Sequence, residues 1–108
     1  RELIEPISPI EIIKNIEDYY IIDVREPDEV AKSGKVFGAL NIPKGVIENS
    51  MNLDKEVEAN KPIVVYCESG NRAALAGKCL IDAGYTNIYN LGGFKYWVKA
   101  GGQIEFAA

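Results

Sequence analysis

Cys67 occupies the position of a reactive thiol in this sequence. It follows the apolar run 63–66 and precedes a polar loop, and a helix-forming stretch begins at Ala73. The loop consists of Glu68, Ser69, Gly70, Asn71 and Arg72. Backbone N–H groups at a helix N-terminus lack intrahelical partners, so together with the helix dipole they favour an anion. We therefore predict that Cys67 is a thiolate nucleophile, and that the loop N–H groups stabilise negative charge on any sulfur it acquires.

The chain contains no histidine, which excludes a Cys–His nucleophile pair and histidine metal ligands within it. Activation of Cys67 must therefore come from the loop backbone and from nearby cations. Cys79 lies twelve residues further along, mostly in one predicted helix, so the two Cα atoms should be well over ~10 Å apart. A disulfide needs Cα atoms within about 7 Å, so we predict no internal disulfide. We interpret Cys79 as a buried apolar residue; the alternative is a resolving cysteine.

The composition is that of an ordinary globular protein and argues against several function classes. The 108 residues suffice for a single domain, residues 1–108, with one core. The net charge of −4 argues against a nucleic-acid partner, and no apolar stretch reaches the ~20 residues of a membrane span. We expect a monomer or homodimer in the cytoplasm, or in the periplasm if Arg1 is a trimmed or mature N-terminus.

Hydrophobic patterning and capping signals predict an alternation of strands and helices. Strands are predicted at residues 20–24, 39–42, 63–66 and 87–90. Helices are predicted at residues 9–16, 27–33, 72–83 and 94–100, with one or two helical turns around residues 46–52 and 54–59. This alternation is typical of a doubly wound α/β fold.

Ligands of such folds bind beyond the carboxyl ends of the parallel strands. The run 63–66 is continuously apolar, as expected for a strand buried on both faces. Asp23, Arg25 and Cys67 each lie at the carboxyl end of a predicted strand. We therefore expect these three residues to meet at one edge of the sheet.

Four segments, taken together, carry a family resemblance. They are Asp23-Val24-Arg25-Glu26-Pro27-Asp28-Glu29, Gly38-Ala39-Leu40-Asn41-Ile42-Pro43, Cys67-Glu68-Ser69-Gly70-Asn71-Arg72, and Leu91-Gly92-Gly93-Phe94 with Trp97. In this order and spacing the chain resembles the rhodanese family, the single-domain sulfurtransferases, over residues 7–101. The resemblance implies an α/β, rhodanese-like fold, a five-stranded and mostly parallel sheet with helices on both faces.

The resemblance also implies a reaction. The Cys67 thiolate would attack the sulfane sulfur of a donor such as thiosulfate, polysulfide or a protein persulfide, and the resulting Cys67 persulfide would pass its sulfur to a thiol or to cyanide. Arg25 would lie near the rim of the active site. The reaction needs no organic cofactor and no metal. The terminal sulfur would be bound by the loop amides of Glu68, Ser69, Gly70, Asn71, Arg72 and Ala73.

Several of these residues also have plain structural interpretations. Asp23 is expected to tie down the loop after its strand, through backbone N–H groups or Arg72. Arg72 would then either face a bound anion or brace the loop through a carboxylate such as Asp23. Arg25 has nearby carboxylates with which it can pair, namely Glu26, Asp28 and Glu29.

The glycines and the tryptophan near the loop are expected to support it. Gly70 should supply a positive φ, and Gly92 and Gly93 should form a tight turn before the last helix. Trp97 is interpreted as a core residue, with a wall of the substrate site as the alternative.

Two departures from the family pattern affect these expectations. Many relatives have Gly-His-Ile where this chain has Gly34-Lys35-Val36, but that histidine is not the base for the nucleophile. Several thiosulfate-using relatives carry a basic residue where this chain has Glu68. A carboxylate there would repel a dianionic donor, which puts thiosulfate in doubt as the natural substrate.

Two other functions compete with sulfur transfer. A Cdc25-type phosphatase shares the fold but has a Cys-x5-Arg loop, whereas residues 67–72 are Cys-x4-Arg, which is too short to enclose phosphate. A binding or regulatory module without turnover is the second alternative, since the negative charge of Glu68 opposes thiolate formation.

Overall fold

The computed structural model describes residues 4–50 and 61–106. Its helices are α1 (Pro9–Lys14), α2 (Pro27–Ser33), α3 (Lys44–Ser50), α4 (Asn71–Asp82) and α5 (Phe94–Lys99), and a 3-10 turn spans Ile16–Asp18. Its strands are β1 (Glu5–Pro6), β2 (Tyr20–Asp23), β3 (Lys35–Val36), β4 (Leu40–Asn41), β5 (Ile63–Cys67), β6 (Ile88–Gly93) and β7 (Ile104–Glu105). No helix in these two ranges is long and apolar enough to cross a membrane.

Five of the strands form one parallel sheet in the order β1-β6-β5-β2-β4. β5 lies at its centre, paired with β2 on one side and β6 on the other, and all five of its residues are buried. Asp23 pairs in register with Tyr66, and Cys67 pairs with Gly93. The carboxyl ends of three strands therefore meet around Cys67. β3 and β7 form a separate antiparallel pair.

Helices cover both faces of the sheet, and the side chains of β5 alternate between them. Ile63, Val65 and Cys67 pack in one cluster with residues of α3 and α4, which are Ile47, Ala73, Ala76 and Leu80. Val64 and Tyr66 pack in a second cluster with residues of α1 and α5, which are Ile12, Phe94 and Trp97. This is the predicted five-stranded α/β architecture, with helices on both faces.

The predicted elements are confirmed with small shifts in their ends. The first predicted strand ends at Asp23, and the strand predicted at 87–90 continues to Gly93 because its last residues pair with Tyr66 and Cys67 across a bulge. The helical turns predicted around 46–52 correspond to α3, while those predicted around 54–59 lie outside the described residues. Strands β1, β3 and β7 were not predicted, since strands of two residues leave no periodicity in the sequence.

Candidate active site

The Cys67 thiol lies where the central strand turns into α4. Cys67 is the last residue of β5 and is fully buried. Gly70 caps α4 with φ +100°, a left-handed conformation that favours glycine. This bend brings the Gly70 N–H to 2.9 Å from Cys67 Sγ, so it donates a hydrogen bond to the sulfur. The sulfur of Cys67 therefore lies at the N-terminus of α4 with a backbone N–H directed at it.

Three glycines allow the loop to lie against the end of β6. A Cβ on Gly93 would stand only 2.5 Å from the carbonyl oxygen of Glu68, and a Cβ on Gly70 would stand 3.3 Å from Gly92 Cα. Gly92 itself has φ +96°. Gly92 and Gly93 therefore end strand β6 instead of forming the predicted turn, and what they provide is close approach of the two backbones.

Asn90 connects the loop to β6 through both ends of its amide. Its Nδ2 donates to the carbonyl oxygen of Gly70 at 3.3 Å, and its Oδ1 accepts from the N–H of Gly92 at 2.7 Å. The side chain thus holds the cap of α4 and the glycine pair in fixed relation. This residue was not among those predicted for the site, although a polar side chain at the carboxyl end of a predicted strand was a usable signal.

Asp23 and Arg25 form a buried ion pair beside the loop. Both side chains are fully buried, and Arg25 Nη2 lies 2.7 Å from Asp23 Oδ2. Arg25 Nε and the Arg25 backbone N–H each donate to Asp23 Oδ1 at 3.0 Å. Burial lowers the pKa of the Arg25 guanidinium, but the hydrogen bonds and charge of Asp23 outweigh burial and raise it overall.

The remaining donors of Arg25 bind its surroundings. Nη2 donates to the carbonyl oxygen of Gly34 at 2.8 Å, and Nη1 donates to Ser33 Oγ at 2.9 Å. Nη1 also lies 3.4 Å from Oε1 of Glu68, whose side chain is 61% exposed. The guanidinium carbon stands 4.5 Å from the ring centre of Phe94. Arg25 is thus buried beneath the loop, and its carboxylate partners are Asp23 and Glu68.

This arrangement corrects two predicted pairings. The expectation that Arg25 pairs with Glu26, Asp28 or Glu29 was wrong, because its side chain turns inward to Asp23. Of the two partners expected for Asp23, a backbone N–H is confirmed, that of Arg25, whereas Arg72 was wrong.

Arg72 instead pairs with Glu29 of α2. Its two terminal nitrogens lie 2.7 and 2.8 Å from the two carboxylate oxygens of Glu29, a bidentate contact. The hydrogen bonds and charge of Glu29 raise the pKa of Arg72 despite partial burial. The same hydrogen bonds lower the pKa of Glu29 to about 2. The structure thus shows Arg72 bracing the start of α4, but through a residue that sequence analysis did not assign to the site.

The other predicted site residues divide into loop and core. Ser69 and Asn71 are exposed on the loop, whereas Ala73 is buried beneath it in the first turn of α4. Trp97 is fully buried in the cluster on the opposite face of the sheet and donates from Nε1 to the carbonyl oxygen of Gln103 at 2.8 Å. Trp97 therefore lies in the core, as interpreted. Both cysteines are free thiols, as predicted.

Within residues 4–50 and 61–106, no group of three or more His, Cys, Asp or Glu side chains is placed to hold a metal ion. What the site provides is a thiol at the centre of a tight backbone loop, held by two arginine–carboxylate pairs. Such a loop can stabilise negative charge on a sulfur through N–H groups.

Comparison with known proteins agrees with this geometry. A family model described as Rhodanese-like domain matches residues 8–100. Uncharacterized protein YqhL of Bacillus subtilis is 42% identical over 86 residues, which are 79% of this chain and 63% of that protein. A protein of Allochromatium vinosum named Sulfurtransferase is 33% identical over 90 residues, which are 82% of this chain and 80% of that protein. The chain thus spans less than two thirds of the length of the Bacillus relative.

A solved structure supports the same assignment. The crystal structure of a rhodanese-related protein from Thermoplasma volcanium superposes with a TM-score of 0.81 at 29% identity, covering 95% of this chain and 99% of that one. Fold, loop geometry and sequence similarity thus agree, and the chain belongs to the family of rhodanese-like domains.

Proposed function

We propose that this protein is a sulfurtransferase that carries sulfane sulfur on Cys67. In the first half-reaction, the Cys67 thiolate attacks the outer sulfur of a donor, a thiosulfate, polysulfide or protein persulfide. A Cys67 S–S bond forms, the donor S–S bond breaks, and its electron pair leaves with the remainder of the donor, which for thiosulfate is sulfite. In the second, an acceptor thiolate or cyanide attacks the outer sulfur, and Cys67 leaves as a thiolate.

The observation that carries this proposal is the hydrogen bond from the Gly70 N–H to Cys67 Sγ at 2.9 Å. It places the sulfur inside the backbone loop at the N-terminus of a twelve-residue helix. Transferred sulfur carries negative charge, and N–H groups at such a terminus stabilise it without proton transfer from a histidine. The full burial of Cys67 suits transfer of a single sulfur atom.

The contacts of Arg72 argue against the phosphatase alternative. A phosphatase needs its loop arginine free to bind the substrate anion. Here both terminal nitrogens of Arg72 are held by Glu29. The sulfurtransferase names of relatives such as that of Allochromatium vinosum support sulfur transfer instead.

Mass spectrometry of the intact protein after treatment with thiosulfate or polysulfide tests the proposal. Wild-type protein should gain the mass of one sulfur atom on Cys67 and lose it on addition of cyanide, with thiocyanate formed. Cys67→Ser should abolish both steps while leaving the protein folded, because an alcohol is far too basic to be the nucleophile at neutral pH. Cys79→Ser is the matched control and should retain transfer, since Cys79 is a partly buried thiol packed against the core cluster.

Two results would contradict the proposal. Thiocyanate formation by the Cys67→Ser protein would remove Cys67 from the chemistry. A wild-type protein that gains no sulfur from any of the three donor classes would instead favour a binding module without turnover.

A further inference from the structure

An open groove runs beside the reactive loop. It has a volume of about 660 Å³, and its lining consists of Glu68 from the loop and Phe94, Lys95, Tyr96, Val98 and Lys99 from α5. The side of α5 that faces this groove is apolar but not covered: Tyr96 is 49% exposed and Val98 is 50% exposed. Glu68, the residue after Cys67, is part of this lining, so the groove lies next to the loop that holds the buried thiol.

The groove carries positive charge although the whole chain carries −4. Lys95 and Lys99 are exposed, and neither has a carboxylate within 4.0 Å among the residues that the structure describes. Lys95 Nζ lies 5.4 Å from the ring centre of Tyr96, which holds the ammonium beside the apolar surface. The carboxylate of Glu68 is in turn partly neutralised by Arg25 at 3.4 Å. Two lysines against one carboxylate leave the lining of the groove with an excess of positive charge.

We propose that this groove docks the sulfur acceptor, and that the acceptor is a protein whose thiol lies in an apolar segment flanked by carboxylates. This inference rests on the proposed function, because it names the acceptor class for that reaction. Tyr96 and Val98 supply the apolar contact, and Lys95 and Lys99 attract the flanking carboxylates. A small thiol would leave a groove of this size nearly empty.

Docking would also orient the acceptor thiol towards Cys67. Cys67 is fully buried, so the acceptor must be held in a defined orientation for its sulfur to reach the persulfide. Its thiolate then attacks the outer sulfur of the Cys67 persulfide, the S–S bond to Cys67 breaks, and Cys67 leaves as a thiolate. Contacts with α5 would hold the acceptor in that orientation. The attack on the persulfide then takes place within the bound complex, which raises its rate.

Two blocked synthetic peptides serve as probes: the acidic acceptor Glu-Leu-Cys-Leu-Glu and the basic acceptor Lys-Leu-Cys-Leu-Lys. The measurement is kcat/KM for discharge of the Cys67 persulfide by each peptide at low ionic strength. The ratio of the two values, compared between protein variants, cancels the intrinsic reactivity of each peptide thiol. The groove variant combines Lys95→Glu with Lys99→Glu, and the matched control combines Lys14→Glu with Lys78→Glu, two exposed lysines on α1 and α4.

The acidic-to-basic ratio of kcat/KM should fall by about ten-fold or more in the groove variant. The wild-type lysines attract the acidic peptide and repel the basic one, and the charge reversal inverts both interactions. The control variant, with the same change in net charge, should keep the wild-type ratio within about two-fold, and the difference should shrink as salt is added. An unchanged ratio in the groove variant, or an equal fall in both variants, would overturn the inference.

A binding measurement separates this inference from the proposed function. Peptides with serine in place of cysteine are titrated into wild-type protein and both variants, and NMR shifts of the Tyr96 and Val98 amides give Kd. Weaker binding of the acidic serine peptide to the groove variant supports the groove even if Cys67 never accepts sulfur. Equal binding to all three proteins overturns it even if sulfur transfer is demonstrated.

Discussion

Two arginines brace the same loop in physically different ways. Arg25 is fully buried with its carboxylate partner Asp23, whereas the side chains of Arg72 and Glu29 are 32% and 34% exposed. Both connect the loop region to α2: Arg25 binds Ser33 and the carbonyl of Gly34 at the end of that helix, and Arg72 binds Glu29 in its first turn.

The two pairs differ in the free-energy cost of removing the arginine from its carboxylate partner. Without Arg25, Asp23 would keep a buried carboxylate that has lost its closest cation, which is costly because uncharged donors do not balance the charge. Without Arg72, the partly exposed carboxylate oxygens of Glu29 can form hydrogen bonds with solvent water instead. The buried pair should therefore matter more to stability than the exposed pair, which holds the start of α4 against α2.

The largest expected effect is on the buried pair. Arg25→Met should lower the free energy of unfolding by about 3–5 kcal/mol, because the Asp23 charge is left uncompensated. Urea unfolding followed by circular dichroism measures it. The double variant Asp23→Asn with Arg25→Met should recover more than half of the loss, since it removes the orphaned charge. If the double variant loses the sum of the two single losses, the pair is not coupled and the comparison fails.

A smaller effect is expected at the exposed pair. Arg72→Met should lower the free energy of unfolding by only about 1 kcal/mol, because both side chains are about one third exposed. Glu29→Gln is the matched partner variant, and the double variant should be no worse than either single variant. A loss as large as that of Arg25→Met would show that exposure does not separate the two arginines.

The contribution of the Arg72–Glu29 pair should vanish in acid. The pKa of Glu29 is lowered to about 2 from 4.5 by its hydrogen bonds to Arg72. A carboxyl group with a depressed folded-state pKa contributes stability above its unfolded pKa and loses that stability as the pH falls through the folded one.

The difference in the free energy of unfolding between wild type and Arg72→Met is therefore expected to be constant above pH 4.5. It should shrink as the pH falls towards 2. Its full size remains about 1 kcal/mol because water screens the pair. Denaturant titrations at a series of acidic pH values would show this. A gap that persists at the acid end would assign the effect of Arg72 to packing.

The contrast between the pairs also explains what the sequence could and could not predict. Cys67, its loop and the strand before it follow from local patterns: a continuous apolar run, a glycine where φ must be positive, and a helix start. The ionic partners depend on which strand ends and helix turns meet in space. Three carboxylates follow Arg25 within four residues, yet it pairs with Asp23, two residues before it, because Val24 between them is packed in the core.

The contact between Glu29 and Arg72 spans 43 positions of the chain, so only the assembled sheet brings these two residues together. The same holds for the short strands β1 and β3, which exist through pairing with β6 and β7. Their sequences carry no signal of their own because two residues cannot show a period.

The smallest expected effect concerns Glu68, which is exposed to solvent and contacts Arg25 of the buried pair. From sequence alone, replacing Glu68 with lysine should raise kcat/KM for thiosulfate by roughly ten-fold or more at low ionic strength, through removal of a repulsive charge. In the structure, Arg25 lies 3.4 Å from the Glu68 carboxylate and the side chain is 61% exposed, so its field is already reduced by a buried cation and by water. A lysine there would also place two cations together.

The sharper substitution is therefore Glu68→Gln, compared with Glu17→Gln, which removes one exposed charge elsewhere. We expect kcat/KM for thiosulfate to rise only about two- to three-fold with Glu68→Gln at low ionic strength, and the gain to disappear as salt is added. Steady-state thiocyanate formation at two salt concentrations measures this. A ten-fold gain would mean that Arg25 does not offset the charge of Glu68. The charge of Arg25 would then be balanced by Asp23 alone.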